Sequence, residues 1–270
     1  MPELPEMEVY RRLLSQTVLN KPVVEVEIRR ERTVNVPMDE FIRRVNGRTI
    51  RVIRRRGKHL LFHLDSDDVL LLHLMLGGWM YYGDRLDTPS HQSQVVLTFA
   101  DGQQLFFQGL RLGYLHIYPG YEVQSKMSEF GPEPLDPQFT VSEFQRILQT
   151  KRGPVKFALA NQHTLAGIGN CYSDEACFEA GILPIKTALA LSEAEAAKLY
   201  EALQVVLPRA ISLGGYMEFP YYRGDLFTGG YNHHCLVYDR GNEPCIRCKT
   251  PITHTMHNRR KVFYCAHCQH

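Results

Sequence analysis

Cys245-Ile-Arg-Cys248 and Cys265-Ala-His-Cys268 lie near the end of this chain, two C-x2-C knuckles separated by sixteen residues. Two such knuckles hold four thiolates in the tetrahedron that Zn²⁺ prefers, so the stretch predicts a zinc ribbon with one structural Zn²⁺. Disulfides are the competing use of the same cysteines. The N-terminus has no apolar run of the signal-peptide kind and no segment reaches transmembrane length, so a reducing, cytoplasmic setting without a membrane is expected. Four protein thiolates leave no open coordination position for water, which places the chemistry elsewhere. Cys171, Cys177 and Cys235 lack knuckle spacing and are expected as small buried hydrophobes.

Around the knuckles the ribbon is basic. Arg247, Lys249, Arg259, Arg260 and Lys261 face one acid, Glu243, between Gly241 and His270. A second basic block runs through Arg43, Arg44, Arg48, Arg51, Arg54, Arg55, Arg56 and Lys58 with no acid among them. The whole chain carries a formal charge of only +2, so clustering rather than composition points to a polyanion. Phosphate backbone is the expected partner.

Moving toward the N-terminus, helical patterns cover Val141 to Gln149, Pro154 to Ala160, Ser173 to Ala180 and Ser192 to Ser212. Between two of them lies Gly167-Ile-Gly169-Asn170, whose glycines let backbone approach a phosphate closely. A plain turn is the alternative reading of that motif. Gly131-Pro-Glu-Pro-Leu-Asp-Pro137, with three prolines, reads as an extended linker. Before it the pattern is strand-like, with Val23 to Ile28, Leu60 to Leu64, Val69 to His73, Val95 to Phe99 and Gln104 to Phe107, preceded by a helix over about Met7 to Leu14. At 270 residues the chain exceeds one typical core. The expected fold is α+β and multidomain: an N-terminal β-sandwich with a leading helix over 1–130, a linker over 131–140, a helical unit over 141–235, and the zinc ribbon over 236–270.

The opposite end of the chain reads Met1-Pro2-Glu3-Leu4-Pro5-Glu6. Removal of Met1 leaves a terminal proline, a secondary amine that can attack an electrophilic carbon and form an iminium ion. An α-amino group titrates near ~7.7–8.0, so part of it is uncharged at neutral pH. Glu3 stands beside it as a proton donor or acceptor. An extended, solvated lead-in is the bland alternative.

Taken together, PELPE, the lysine that follows an arginine run, Gly167-Ile-Gly169-Asn170 and the terminal knuckles resemble the formamidopyrimidine-DNA glycosylase and endonuclease VIII family. Phe130-Gly-Pro-Glu-Pro-Leu135, Glu179-Ala-Gly-Ile-Leu-Pro184 and Phe263-Tyr-Cys265 extend the likeness over essentially the whole chain. The resemblance implies a base-excision repair enzyme that flips a damaged nucleotide out of duplex DNA and attacks its sugar C1′. The helical unit would be a helix-two-turn-helix domain, and the molecule a monomer, nucleoid-associated if bacterial. Pro2 matches the nucleophile, Glu3 the carboxyl that handles ring opening, and Glu6 a second, more structural acid. Lys58 matches the lysine that meets phosphate near the lesion, Asn170 the asparagine of the helix-two-turn-helix, and Arg260 the arginine of the ribbon. His91 and Lys156 are further DNA-binding positions on this resemblance.

Two segments depart from the family pattern. Where a methionine plugs the vacated helix, this chain has His73-Leu74-Met75-Leu76-Gly77-Gly78, which offers Leu76 or, shifted by one, Met75. Where Asp-Pro-Arg-Arg-Phe-Gly is usual, it has Gln108-Gly-Leu-Arg111-Leu112-Gly113, keeping Arg111 and replacing the aromatic wedge by Leu112. The stretch from about Gly214 to Asn232 is the expected lesion-capping loop, with aromatics that stack on an everted base or pin the loop down. A non-catalytic relative that binds abasic or distorted DNA is the second functional reading. An RNA-binding ribbon is the third.

Overall fold

The computed structural model describes residues 1–87 and 92–270, and these divide into two compact units, residues 1–129 with 213–230, and residues 130–212 with 231–270.

The first unit opens with α1 (Leu4–Thr17), followed by β1 (Val23–Ile28), α2 (Met38–Val45), β2 (Ile50–Arg56), β3 (His59–Leu64), β4 (Asp68–His73), β5 (Trp79–Gly83), β6 (Val95–Phe99), β7 (Gln104–Gln108), β8 (Tyr114–Pro119) and α3 (Gly120–Ser128). The strands form two antiparallel four-stranded sheets, ordered β1-β6-β7-β5 and β2-β3-β4-β8. One core joins them: Val26, Leu97, Phe107 and Met80 from one sheet, Ile53, Phe62, Leu72 and Ile117 from the other, and Met7, Tyr10 and Leu14 from α1. The spacing of those three α1 residues puts them on one helical face, while alternation in the strands aims every second residue inward. This is the expected sandwich with its leading helix. Strands β2, β5 and β8 escaped the sequence reading because their arginines, tyrosines and histidines blur the alternation.

Sequence order puts Leu213–Gly230 inside the stretch 141–235, yet it packs with the first unit. Tyr221 explains this: its side chain is fully buried in the sandwich core, its hydroxyl meets Thr17 Oγ1 at 2.8 Å, and its carbonyl accepts from Tyr82 N–H at 2.6 Å. The last bond occupies the otherwise open edge of β5.

The second unit holds α4 (Val141–Leu148), α5 (Val155–Leu159), α6 (Asn170–Ala180), α7 (Glu193–Ser212) and the hairpin β9 (Thr253–His257) and β10 (Arg260–Tyr264). The proline-rich stretch before α4 is extended but fastened: Gly131 N–H donates to Gln162, Ala166 N–H to Pro132, and the Gln204 amide to the Pro134 carbonyl. Phe178 of α6 shares a small core with Val237, Ile252, Phe263 and the ribbon cysteines. None of the helices among the described residues is long and apolar enough to cross a membrane.

Candidate active site and nucleic-acid interface

Helix α1 begins at Leu4, three residues before the expected start at about Met7, because PELPE itself supplies the cap. Glu3 is its N-cap, Pro5 stands in the first turn, and the side chains of Glu3 and Glu6 reach reciprocally for each other's backbone N–H, with Glu3 N–H to Glu6 Oε2 at 2.8 Å. Both carboxylates are almost wholly buried, at 2% and 3% exposure, against a helix N-terminus that favours negative charge. Pro2 is buried just ahead of them. Glu6 Oε1 accepts the backbone N–H of Tyr216 at 2.9 Å, and the Tyr216 hydroxyl donates to the Met1 carbonyl at 2.9 Å. Gly215, at φ +73°, has no room for a Cβ, which would stand 2.5 Å from Glu6 Oε1. The head of the chain is thus held from two sides within this unit.

Lys58 follows Gly57 (φ +55°) in the turn between β2 and β3 and is 4% exposed. Sheet register then lines up His59 with His73 and His73 with Tyr114 across three strands. Burial, assisted by the His73 ring and the Lys58 charge, pushes His59 down to about 3, and burial plus Lys58 pushes His73 down to about 4. Both rings are neutral at physiological pH. His73 Nδ1 therefore accepts the Met75 N–H, at 3.0 Å, and so orients the turn that follows.

That turn and the one before β8 are built on close backbone approach. A Cβ on Gly78 would collide with the Leu74 carbonyl, one on Gly109 (φ +65°) with the Gly77 carbonyl, and one on Gly113 would stand 2.6 Å from the His73 carbonyl oxygen. Arg30 Nη1 holds the carbonyls of Leu110 and Arg111 at 2.8 and 3.0 Å. The two turns drive Leu76 and Leu112 into solvent, at 62% and 61% exposure, with Arg111 exposed beside them. Met75 is only half-buried but strained at φ +50°, so Leu76 is the more outward of the two alternatives. Leu110, which stands at the first arginine of the family pattern, is wholly buried in the sandwich core.

Two corrections concern charge. Lys156 is not presented to a phosphate: it is 0% exposed, with Nζ 2.6 Å from Asp174 Oδ2 and 2.5 Å from the Lys261 carbonyl oxygen. The arginine block is acid-free only in sequence. In space Arg44 pairs with Asp68, Arg51 with Asp65 and Arg55 with Glu8, because each acid comes from a neighbouring element. His91 lies outside the described residues.

In the second unit Asn170 is exposed at the first position of the eleven-residue α6, behind a turn that Gln162 staples through Gly167 N–H and the Ile168 carbonyl. Backbone N–H groups at such a helix start suit an anion. Arg260 is exposed at the β9–β10 turn, over the Phe157 ring, and lines a groove of about 690 Å³ with Asn161, Gln162 and His163. Sequence reasoning missed Glu175, whose buried carboxylate accepts from Leu236, Val237 and Tyr238 N–H and from the Tyr231 hydroxyl. Burial raises its pKa against those bonds. Sequence reasoning placed His73 at the head of the plug segment and Tyr216 among the aromatics of the capping loop, but gave neither the partner that the structure shows, Met75 N–H for His73 and Glu6 with the Met1 carbonyl for Tyr216.

The four sulfurs of Cys245, Cys248, Cys265 and Cys268 lie within 4.8 Å of one another, with Cys245–Cys268 at 3.9 Å and Cys248–Cys265 at 3.4 Å. These cysteines can hold a metal ion. A tetrahedron of thiolates about 2.3 Å from an ion has edges of about 3.8 Å, which these separations bracket.

Comparison with known proteins places this geometry. Residues 1–114 match the model of the formamidopyrimidine-DNA glycosylase N-terminal domain, and residues 130–218 match that of its H2TH domain. Formamidopyrimidine-DNA glycosylase of Geobacillus kaustophilus is 38% identical over 275 aligned positions covering 100% of both chains. The structure of Lactococcus lactis Fpg in complex with DNA containing an abasic site superposes with a TM-score of 0.92 at 30% identity, over 99% of each chain. MutM (FPG) of Thermus thermophilus does so at 0.86 and 34%, over 99% of this chain and 98% of that one.

Proposed function

This chain belongs to the formamidopyrimidine-DNA glycosylase family, and on that premise we propose that it excises oxidised or ring-opened bases from duplex DNA through its N-terminal proline and then cleaves the strand as an abasic-site lyase. The observation that carries the reading is the capping box of α1. It holds a proline one residue ahead of buried Glu3 and four ahead of buried Glu6, so removal of Met1 yields a secondary amine in a fixed place rather than on a loose tail.

Pro2 nitrogen attacks C1′ and the base departs with the bonding electron pair. Glu3 relays the proton from the proline nitrogen to the sugar ring oxygen as the ring opens, leaving an iminium. Elimination from that iminium breaks the strand. Glu6 positions the head of the helix through its bonds to Glu3 and Tyr216. Lys58 in the first unit, and Asn170 and Arg260 in the second, contact phosphate. Leu76 and Leu112, with Met75 and Arg111 beside them, fill the space that the everted nucleotide leaves; apolar side chains offset lost stacking there.

The metal of the ribbon is Zn²⁺, by the all-thiolate donor set, and its role is structural. Bound there, it supplies the fold energy that two short strands lack. The working partition is a β-sandwich, a helix-two-turn-helix unit and a ribbon, acting as a monomer in the cytoplasm and, in a bacterium, at the nucleoid.

Borohydride trapping with abasic duplex tests the catalytic reading. Met1-free protein should give a covalent adduct, and Pro2→Gly or a Met1-retaining form should give little. Absence of any adduct with the processed wild-type chain sinks it. Elemental analysis of the purified protein for one equivalent of zinc tests the metal.

A further inference from the structure

We infer that Tyr216 is the hydrogen-bond donor to the sugar ring oxygen O4′ during ring opening, an inference that rests on Pro2 being the nucleophile. The Met1 peptide bond attaches a carbon to the Pro2 nitrogen, the bond that C1′ makes to the same atom in the covalent adduct. The acyl carbon and oxygen of Met1 have the N–C–O connectivity of C1′ and O4′ in the adduct before its ring opens, so they mark where those two atoms stand on the Pro2 nitrogen.

The Met1 carbonyl oxygen is attached to that carbon, as O4′ is attached to C1′. The Tyr216 hydroxyl donates to it at 2.9 Å, while the terminal ammonium donates to the hydroxyl at 3.3 Å. The backbone that carries the hydroxyl is anchored beside the head of the chain: Tyr216 N–H is bonded to Glu6, and Gly215 packs so close to that carboxylate that a Cβ would not fit. Glu6 thereby fixes both the helix start that follows Pro2 and the residue whose hydroxyl meets the Met1 carbonyl.

In the proposed step Pro2 has bonded C1′ and its proton has passed to Glu3. The nitrogen lone pair forms the C=N bond, the C1′–O4′ bond breaks with its electron pair on O4′, and the proton returns from Glu3 to O4′. Tyr216 keeps its own proton and donates a hydrogen bond to O4′ as negative charge develops there.

Tyr216→Phe keeps the ring and the N–H bond to Glu6, so it removes the donor alone. Met1-free wild type and variant are compared by single-turnover cyanoborohydride trapping on two duplexes, one with a natural abasic site closed as the hemiacetal, one with an acyclic aldehyde that has no ring oxygen. The variant should trap the hemiacetal on the order of ten- to a hundred-fold more slowly and the acyclic aldehyde at the wild-type rate. Equal slowing on both duplexes assigns Tyr216 a purely structural role and overturns the inference, as does slowing on neither. Wild type that traps neither duplex overturns the reading of Pro2 and this role with it.

Discussion

Lys156 and Asp174 form an ion pair sealed from solvent, Nζ to Oδ2 at 2.6 Å with 0% exposure on both side chains. The same Asp174 oxygen accepts the backbone N–H of Phe263 at 3.1 Å, and Lys156 also caps the Lys261 carbonyl. Helices α5 and α6 therefore grip β10 through one buried pair.

Lys156→Ala strands a buried carboxylate and should destabilise the protein by about 3–5 kcal/mol. Its effect on DNA should differ in kind from that of Arg260→Ala. Loss of one phosphate contact at Arg260 should make the plot of log affinity against log salt shallower by about 0.9, at unchanged melting temperature. Lys156→Ala should leave that slope alone. A slope change from Lys156→Ala, measured below its melting temperature, reinstates it as a phosphate ligand.

Leu76 and Leu112 are exposed in the free protein, so truncation to Ala should alter stability by no more than about 0.5 kcal/mol. Each should weaken binding to a duplex with an abasic analogue by about 1–2 kcal/mol, the value of the apolar surface buried on insertion. Affinity for undamaged duplex should be unchanged. Fluorescence anisotropy on the two duplexes separates these outcomes, and equal losses on both would remove the plugging role.

The depressed values of His59 and His73 fix a pH dependence. Unfolded, each titrates near 6.5; folded, at about 3 and about 4, so the unfolded chain binds more protons in the interval between. Their contribution is complete above pH 6.5 and is lost as pH falls toward 4 and below. Each histidine adds at most about 1.4 kcal/mol per pH unit to the slope of stability against pH. Urea midpoints across pH 4–7 should show a shallower fall in His73→Gln than in wild type; parallel curves would refute the assignment.

Trp79 is the only tryptophan in the chain and stacks on Phe219, ring centroids 5.2 Å apart and 16° from parallel. Phe219 belongs to the stretch that Asp225 shapes by accepting from Tyr221, Phe227 and Thr228 N–H. Phe219→Ala should red-shift the Trp79 emission and increase its quenching by acrylamide, with the melting temperature within a few degrees of wild type. An unshifted spectrum means that the stack does not hold in solution.

Much of this site was legible in the sequence because its signals are local. PELPE is five residues long, a C-x2-C knuckle is four, and the glycines of Gln108–Gly113 are demanded by the turn they build, whereas the capping box of Glu3 and Glu6 emerged only from the structure. Strands β6 and β7 were readable for the same reason, as short apolar runs. Tyr216 was not, because its partner Glu6 is 210 residues away and a tyrosine in an aromatic loop has no pattern of its own. Nor was the fate of the arginine block, whose acids arrive from α1, β4 and the turn before β4.

The sequence by itself determined the kind of fold, the four clustered cysteines, the proline behind Met1 and the two segments that depart from the family pattern. Each of these is set by short-range geometry or by residue chemistry that no neighbour can cancel. Tertiary structure alone decided which cations remain available to a polyanion, that Lys156 belongs to the interior, and that Tyr216 faces the head of the chain. Burial and pairing are properties of residues brought together across the chain, and a linear pattern does not record them.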